Sequence, residues 1–479
     1  MSTLRSPQQK RSELTVHTTA AGDYESVRHP YEPGFEEAPE RATRCDGRMV
    51  NEVLQWVDGH PPPGPFRRRF WRSPVRGPWL TAVLGSVLLA GLTVMIVTGL
   101  LSYAAYGPLL PGNDATPAHG LLGFYLFDWP TGPSWLYRVT QGTHVALGIA
   151  LVPVVLAKLW SVIPKLFEWP PVRSIAHSLE RLTLLMLVGG LLFEFVTGLL
   201  NSQLDYLFPF FFYTAHFYGA WVFIGGFVGH VLVKFPVMVR SLRRGPGQSF
   251  RRTSVADTRP EPVESELVAT APAPPTASRR GVLGFVGLSS LVLLGTYIGS
   301  VLDDPLRRLT LFGPHDRGNG VGANDFPVNK TAATAGVTPA MTGAAWRLEL
   351  VGPAGTTRLS REDLLALAQH THYLPIACVE GWSIGKTWTG VRLADLVARA
   401  GGRPTDRLFV ESMQNGGGFG AVSLSVDQSQ AEQSLLALKV EGEDISPDHG
   451  FPARTIIPAA PGVHCTKWVK RITVIDGGA

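Results

Sequence analysis

The sequence is poor in charged residues and in cysteine. Charged residues make up 17% of its 479 residues, whereas hydrophobic residues make up 45%. This balance argues against an ordinary soluble protein and indicates a membrane protein. Three cysteines, Cys45, Cys378 and Cys465, are too few for a disulfide framework. The fold therefore does not depend on disulfide bonds.

The sequence also lacks a strong net charge. The formal charge is +5, and arginines cluster beside the long apolar runs. We interpret this excess as a signal of membrane topology and expect no nucleic-acid partner.

Five apolar runs are long enough to cross a bilayer, which takes about 20 helical residues. They lie at 79–103, 139–163, 182–200, 216–239 and 282–301. Lysines and arginines cluster before the first run, between the second and third, and after the fourth. By the positive-inside rule, the N-terminus is predicted to be cytoplasmic and the C-terminal part extracytoplasmic. The sequence thus predicts a multi-pass protein of the cytoplasmic (inner) membrane.

Composition divides the chain into five segments. Residues 1–75 are polar and rich in Pro, Arg and Glu, which predicts a disordered cytoplasmic segment. Residues 76–241 hold the first four spans, and 242–277 form a Pro/Ala/Thr-rich cytoplasmic linker. The fifth span, a single-span anchor, lies within 278–301. Residues 302–479 have the composition of a soluble domain.

Residues 302–479 mix strand and helix signals. The runs "WRLELVG", "RLFVESM" and "WVKRITVID" predict strands, whereas "SREDLLALAQ" and "RLADLVARA" predict short helices. Ser360 is a candidate helix cap. The predicted fold class is a membrane all-α four-helix bundle plus a fifth span, followed by an α+β domain.

The fifth span begins with a paired arginine. The segment "SRRGVLGF" resembles the twin-arginine export motif, in which an apolar run follows two arginines. That resemblance implies export of a domain already folded around its cofactor. The alternative is that Arg279 and Arg280 are only positive-inside residues.

Histidines inside the apolar runs are candidates for metal ligands, because polar groups are costly in a bilayer. His144 lies in the second span, and His216 and His230 lie in the fourth. Fourteen residues of helix span about 21 Å and return within about 40° of the same face. His216 and His230 therefore have the spacing of ligands to two stacked haems, and His144 matches His216 in depth.

The bundle resembles the b-type cytochrome subunits of formate dehydrogenases and nickel–iron hydrogenases. The fragments "TVMIVTGLLSY" and "LLFEFVTGLLN" support the resemblance. It implies an outer haem b between His144 and His216. The first span holds no histidine, so the inner partner of His230 is either His177 or absent. One or two haems are therefore expected.

Three segments of the soluble domain resemble the sulfite-oxidase family of molybdopterin-binding oxidoreductases. They are "IACVEGWSIGKTWTGVRLADLV" (376–397), "PDHGFPARTIIPAAPGVHCTKWVKRITVID" (447–476) and, more weakly, "ANDFPVNKTA" (323–332). The resemblance implies that the thiolate of Cys378 binds molybdenum, for which a soft sulfur ligand is suited. The alternative is a buried structural cysteine.

The same resemblance implies further cofactor contacts. Arg454 is expected near the metal or the pterin, and Lys467 near the pterin phosphate; a surface salt bridge is the alternative for Arg454. The other predicted contacts are Asn324, Asn329, His449 and His464. Turn or cap roles are alternatives for the two asparagines, and fixing the loop is the alternative for His449.

Several features depart from the family pattern. Cys465 stands where many members have a serine, and it is read as a packed small residue rather than as a second metal ligand. Glu441 replaces an asparagine, and Phe419 lies where many members place a tyrosine. These differences weaken a claim that sulfite itself is the substrate. A zinc or copper site built from the cysteines and histidines lacks any paired short spacing.

The two halves together predict a membrane-bound molybdopterin oxidoreductase. It would exchange electrons between an extracytoplasmic oxo-transfer site and a quinone or quinol through haem b. Its substrate is expected to be a small oxyanion or an S- or N-oxide, in a direction that the sequence leaves open, as it does a separate redox partner chain. The alternative is a haem-free anchor or transporter that carries a non-catalytic binding module.

Overall fold

A computed structural model describes residues 56, 59–113, 126–201, 208–247, 250, 254–302, 306–311, 322–416 and 418–476. Most of the predicted N-terminal disordered segment, with Cys45, lies outside these residues. The described chain contains a bundle of long helices followed by an α+β domain, as the composition predicts.

Among the described residues, five helices are long and apolar enough to cross a membrane. They are α1 (Pro78–Ala105), α2 (Leu136–Leu166), α3 (Ile175–Asn201), α4 (Phe212–Arg244) and α5 (Arg279–Tyr297). A 3₁₀ turn, Ile298–Ser300, extends the last of them. The five predicted spans are confirmed as helices, and each of the first four is longer than the apolar run that signals it. Polar residues such as His177 and Arg244 continue a helix beyond that run.

One end of the bundle is closed by segments that the sequence predicts to be irregular. Phe66 packs edge-on against Phe167, with ring centroids 5.6 Å apart. In the linker, Glu261 accepts hydrogen bonds from the backbone N–H of Trp79 at 2.9 and 3.2 Å. A carboxylate at this position satisfies donors that the first turn of a helix leaves unpaired. Residues 59–75 and 254–278 are therefore part of the folded bundle.

Arg279, the first of the paired arginines, is buried at the same end. Its guanidinium donates to the carbonyl oxygens of Pro74 and Arg259 at 3.0 and 2.9 Å, and it lies 3.7 Å from a carboxylate oxygen of Glu261. This arginine thus has a structural role in the folded protein. Arg280 is exposed.

The α+β domain contains two five-stranded sheets. The first has the order β2 (Gly355–Leu359), β1 (Leu348–Gly352), β10 (Val469–Ile475), β5 (Arg407–Ser412), β6 (Ala421–Leu424); only β1 and β10 are parallel. The second has the order β3 (His370–Ala377), β4 (Ser383–Arg392), β7 (Leu435–Val440), β8 (Glu443–Asp444), and β9 (Arg454–Ile456) also pairs with β7. The three strands predicted from sequence are confirmed as β1, β5 and β10.

In the described part of this domain, α6 (Pro339–Thr342) precedes the first strand, and three short helices lie between strands: α7 (Arg361–Leu365), α8 (Leu393–Arg399) and α9 (Val426–Gln430). The two predicted helices are confirmed as α7 and α8. Ser360 caps α7 in a reciprocal arrangement with Asp363, in which each side chain accepts from the other's backbone N–H.

The α+β domain rests directly on the bundle. Asn113, just beyond α1, exchanges hydrogen bonds with the backbone of Ser423 at 2.9 and 2.8 Å. Trp129 donates its indole N–H to the carbonyl of Ala459 at 2.6 Å. These contacts use backbone groups that no other strand pairs, so they fix the domain at one end of the helices.

Candidate functional site

Cys378 lies at the end of β3, in the turn that leads into β4. The turn closes through hydrogen bonds from the N–H of Cys378 to the carbonyl of Trp382 at 2.9 Å and from Gly381 to Cys378 at 3.0 Å. Gly381 has a φ of 91°, which side-chain-bearing residues rarely adopt. Two paired strands therefore hold the thiol of Cys378 at a rigid strand end.

The thiol of Cys378 is buried beside one carboxylate. Its Sγ donates to Oε2 of Glu380 at 3.4 Å, and the indole of Trp382 donates to the same oxygen at 2.9 Å. Burial, together with the charge of Glu380, raises the pKa of the Cys378 thiol well above its usual range. The thiolate form therefore needs a bound cation, such as a metal, to stabilise it.

Arg454 is buried near this turn without a carboxylate partner among the described residues. Its guanidinium donates to the carbonyl oxygens of His449 and Cys465 at 2.9 and 3.0 Å, while its Nε has no hydrogen-bond partner. Burial lowers the pKa of Arg454 to about 10. A buried arginine with an unused N–H is suited to an anionic group, so the predicted alternative of a surface salt bridge is wrong.

Lys467 provides a second positive charge in the same region. Its ammonium donates to the carbonyl oxygens of Lys330 and Asp448 at 2.8 and 2.9 Å. Burial first, and then the charge of Arg454, lowers the pKa of Lys467 to about 7, and the charge of Cys378 opposes this shift. Two cations beside a cysteine fit a cofactor that combines a metal with a phosphate.

The other predicted pterin contacts are occupied within the protein or lie at the surface. Asn324 donates to the carbonyl of Asp444 at 3.0 Å and accepts from the N–H of Ser446 at 2.7 Å. Asn324 thus joins its own loop to residues 444–446, and its contact with the pterin stays a prediction. Asn329 is exposed, and its contact with the pterin stays a prediction.

Both predicted histidine contacts of this domain use both of their ring nitrogens. His449 bonds to Ser446 Oγ at 2.8 Å and to the carbonyl of Phe326 at 3.0 Å, which supports its loop-fixing alternative. His464 accepts from the Gln428 amide at 3.1 Å and donates to the carbonyl of Tyr106 at 3.1 Å. His464 therefore joins the domain to α1, and a bond to the pterin would require one of these bonds to break.

The turn after Cys378 is also held by two side chains of the bundle that the sequence did not single out. Gln141 of α2 donates to the carbonyl of Val379 at 2.8 Å. Tyr297, at the end of α5, donates to the carbonyl of Glu380 at 3.3 Å. No sequence signal predicts these contacts, because each joins residues far apart in the chain.

His144 of α2 and His216 of α4 face one another across a cavity in the bundle. Their ring centroids lie 6.4 Å apart, with an interplanar angle of 78°. Leucine, isoleucine and aromatic side chains form most of the cavity wall, and Val379 and Glu380 close the end next to the α+β domain. The cavity of the two histidines thus reaches the turn that carries Cys378.

Each of these histidines is oriented through Nδ1. His144 Nδ1 lies 3.0 Å from the carbonyl of Met95 and 3.1 Å from Thr98 Oγ1. His216 Nδ1 lies 2.9 Å from Glu194 Oε2 and 3.4 Å from Thr197 Oγ1. Such partners are typical of metal-bound histidines, because they fix the ring and leave Nε2 for the metal.

The two histidines occupy equivalent environments. The pentapeptide Val-Thr-Gly-Leu-Leu occurs in α1 at 97–101 and in α3 at 196–200. Its threonine bonds to the facing histidine, and its glycine lies against the same ring: a Cβ at Gly99 would be 3.2 Å from His144, and one at Gly198 would be 3.9 Å from His216. This repeat is a sequence signal that could have paired the two histidines directly.

His230 and His177 do not line this cavity. His230 lies fourteen residues further along α4, and His177 lies near the start of α3. Among the residues that the structure describes, no three His, Cys, Asp or Glu side chains converge as in a zinc or copper site. Ligation of haem by His230 and His177 stays a prediction.

Fold and site together define an α+β domain that presents a buried thiol and two cations to an anionic metal cofactor. Residues 335–478 match the family model of the oxidoreductase molybdopterin binding domain. The C-terminal part of this chain thus matches the molybdopterin-binding oxidoreductase domain, which supports the resemblance inferred from its motifs.

Curated relatives match over part of the chain. An uncharacterized oxidoreductase, YuiH, of Bacillus subtilis is 33% identical over 129 residues, which are 26% of this chain and 64% of that protein. A nitrate reductase [NAD(P)H] of Hordeum vulgare is 40% identical over 96 residues, 18% of this chain and 11% of that one. The mitochondrial sulfite oxidase of Mus musculus is 29% identical over 157 residues, 27% of this chain and 29% of that one. The chain spans less than two thirds of each of these relatives.

Proposed function

We propose that this chain is a membrane-bound molybdopterin-dependent oxidoreductase that exchanges electrons with a quinone pool through haem b. One observation carries the proposal. Val379 and Glu380, the two residues after the proposed molybdenum ligand Cys378, line the same cavity as His144 and His216. One polypeptide therefore brings an oxo-transfer site and a haem site into contact.

The histidine pair fits an axially ligated haem. A metal bound to two imidazole nitrogens at about 2 Å each holds the ring centres about 6 Å apart, and the observed separation is 6.4 Å. His144 and His216 come from different helices, as axial ligands in a bundle do. Their Nδ1 atoms are already hydrogen-bonded, so their Nε2 atoms are the proposed ligands.

The molybdenum site fits its cofactor through complementary charge. Cys378 would supply the thiolate, and Arg454 and Lys467 would hold the negative charges of the pterin and its phosphate. When bound, molybdopterin would supply two-electron oxo transfer and the haem single-electron transfer. The residues of the chain would position both groups, and the mostly apolar wall of the histidine cavity would limit water next to the haem.

Gln141 gives the two sites a direct connection. Its side chain bonds to the carbonyl of Val379, one residue from Cys378, and it precedes His144 by three residues on α2, hence about one turn. Its Oε1 accepts from Ser102 at 3.0 Å, which fixes the amide in this orientation. A bonded route from Cys378 to His144 through Gln141 thus crosses one hydrogen bond.

The membrane setting supports the remaining parts of the proposal. Five apolar helices are compatible with a multi-pass protein, and the arginine distribution predicts that the molybdopterin domain is extracytoplasmic. Export of a cofactor-loaded domain by the twin-arginine route belongs to this proposal. A lipid-soluble quinone is the proposed electron partner of the membrane part, and small oxyanions or S- or N-oxides are the proposed substrates.

The purified full-length chain tests the proposal directly. We expect molybdenum and a b-type haem spectrum in the same preparation, and turnover coupled to a short-chain quinone or quinol with at least one member of a panel of sulfoxides, N-oxides and small oxyanions. A preparation that holds molybdenum and turns over a substrate with a dye, yet shows no haem spectrum, would contradict the haem part.

Replacement of Gln141 by Leu is expected to slow electron transfer between the two sites. The substitution removes the hydrogen bond to Val379 and keeps the volume of the side chain, so both cofactors should still bind. We expect at least about a tenfold lower rate of haem oxidation or reduction by substrate in rapid mixing. Thr140→Val is the matched control, because Thr140 bonds only within its own helix, at 3.0 Å to Leu136. Equal rates in both variants would show that Gln141 is not on the route.

A further inference from the structure

Lys158 contacts α1 in the same way as His144 does, but fourteen residues further along α2. We call the two positions the levels of His144 and of Lys158. Lys158 Nζ donates to the carbonyl of Thr81 at 2.7 Å, and a Cβ at Gly85 would lie 2.9 Å from it. His144 makes the corresponding contacts with the carbonyl of Met95 and with Gly99. These two residues follow Thr81 and Gly85 by fourteen residues each. Lys158 likewise follows His144 by fourteen.

The same interval separates the two histidines of α4. Fourteen residues of helix advance about 21 Å and return within about 40° of the same face. His230 therefore stands to His216 as Lys158 stands to His144. A second haem at the level of Lys158 would need two ligands from the bundle. Lys158 and His230 are the side chains at the two corresponding positions.

This second pair does not fit a haem. An ammonium group has three donors and no lone pair for iron, and the ammonium of Lys158 is already bonded to Thr81. The helices also close together between the two levels: a Cβ at Gly226, one turn before His230, would lie 2.6 Å from the backbone N of Leu187 in α3. His177, the other predicted partner of His230, is on the helix that makes this close contact.

We infer that the bundle binds a single haem, between His144 and His216, and that Lys158, which stands where α2 repeats the position of His144, leaves the second level unable to bind one. This inference rests on the proposed function for the first pair. It has a consequence for the partner: the quinone must exchange electrons in the half of the bundle that faces the molybdopterin domain. Electrons then need not pass the level of Lys158 and His230.

The haem-to-chain ratio of the purified full-length protein tests the inference. We expect one haem per chain, and the same ratio and spectrum in His230→Ala and in Lys158→Met. A ratio of two that falls to one in His230→Ala would overturn the inference while leaving the proposed function intact. A ratio of zero would overturn the proposed function, and with it this inference.

The rate of haem reduction by a short-chain quinol is the second readout. Because the inner pair lies outside the proposed route, His230→Ala and Lys158→Met should reduce their haem within about twofold of the unmodified chain. If either variant retains its haem but slows this step more than about tenfold, the inner level is part of the quinol route and the inference is wrong.

Discussion

Replacement of Cys378 by Ser is expected to abolish substrate turnover and to leave the haem spectrum unchanged. Loss of residues that only orient a metal ligand costs about 10- to 100-fold in metal affinity or activity, so loss of the ligand itself should cost at least about a hundredfold. Turnover with a soluble redox dye measures this effect, because the dye bypasses the haem. The haem should be unaffected, since its proposed ligands belong to other elements.

Cys465→Ser is the matched control for this substitution. Cys465 is also buried and forms no disulfide among the described residues. Its backbone carbonyl, rather than its thiol, accepts a hydrogen bond from Arg454. We expect its turnover to remain within about threefold of that of the unmodified chain. Equal losses in the two serine variants would mean that Cys378 acts as a packed cysteine and not as the metal ligand.

Replacement of His144 or His216 by Ala is expected to abolish quinone-linked turnover while dye-linked turnover continues. Either substitution removes one proposed haem ligand, so the b-type absorption should be lost in both variants. The molybdopterin domain folds around its own two sheets and keeps its cofactor contacts. Absorption spectra and paired assays with quinol and with dye measure the two effects separately.

His177→Ala is the control for the histidine substitutions. It removes an imidazole from α3 that does not line the cavity, so haem content and quinone-linked turnover should be retained. A bundle that keeps its haem spectrum in both His144→Ala and His216→Ala would place the haem elsewhere and would contradict the assignment of this pair.

The features predicted correctly from sequence are those that a short segment determines by itself. The apolar runs specify the five helices, and alternating burial along β5 matches its predicted strand. Ser360 and Asp363 form a cap three residues apart. The motif around Cys378 was informative because its strand, turn and glycine are contiguous.

Long-range contacts explain the remainder. His464 was predicted to contact the pterin, but its ring bonds to Tyr106, 358 residues away. Asn324 closes a loop with residues more than 100 positions further on. Gln141 and Tyr297 reach the Cys378 turn only because the domain rests on the bundle. None of these pairings leaves a local pattern in the sequence.

Lys158 illustrates an intermediate case. Its distance from His144 equals the distance between His216 and His230, so the interval was present in the sequence. The interval could be interpreted only from the structure, in which Lys158 contacts Thr81 and Gly85 as His144 contacts Met95 and Gly99. A charged residue such as Lys158 in an apolar run can be interpreted once the residue at the equivalent structural position, here His144, is known.

Rapid mixing of the full-length chain with its substrate tests the central claim most directly. We predict that the haem changes its redox state within a single turnover in the unmodified chain and that it does not respond in Cys378→Ser, although the haem spectrum is the same. A haem in the unmodified chain that stays unchanged while the substrate is converted with a soluble dye would contradict the claim that these two sites are connected.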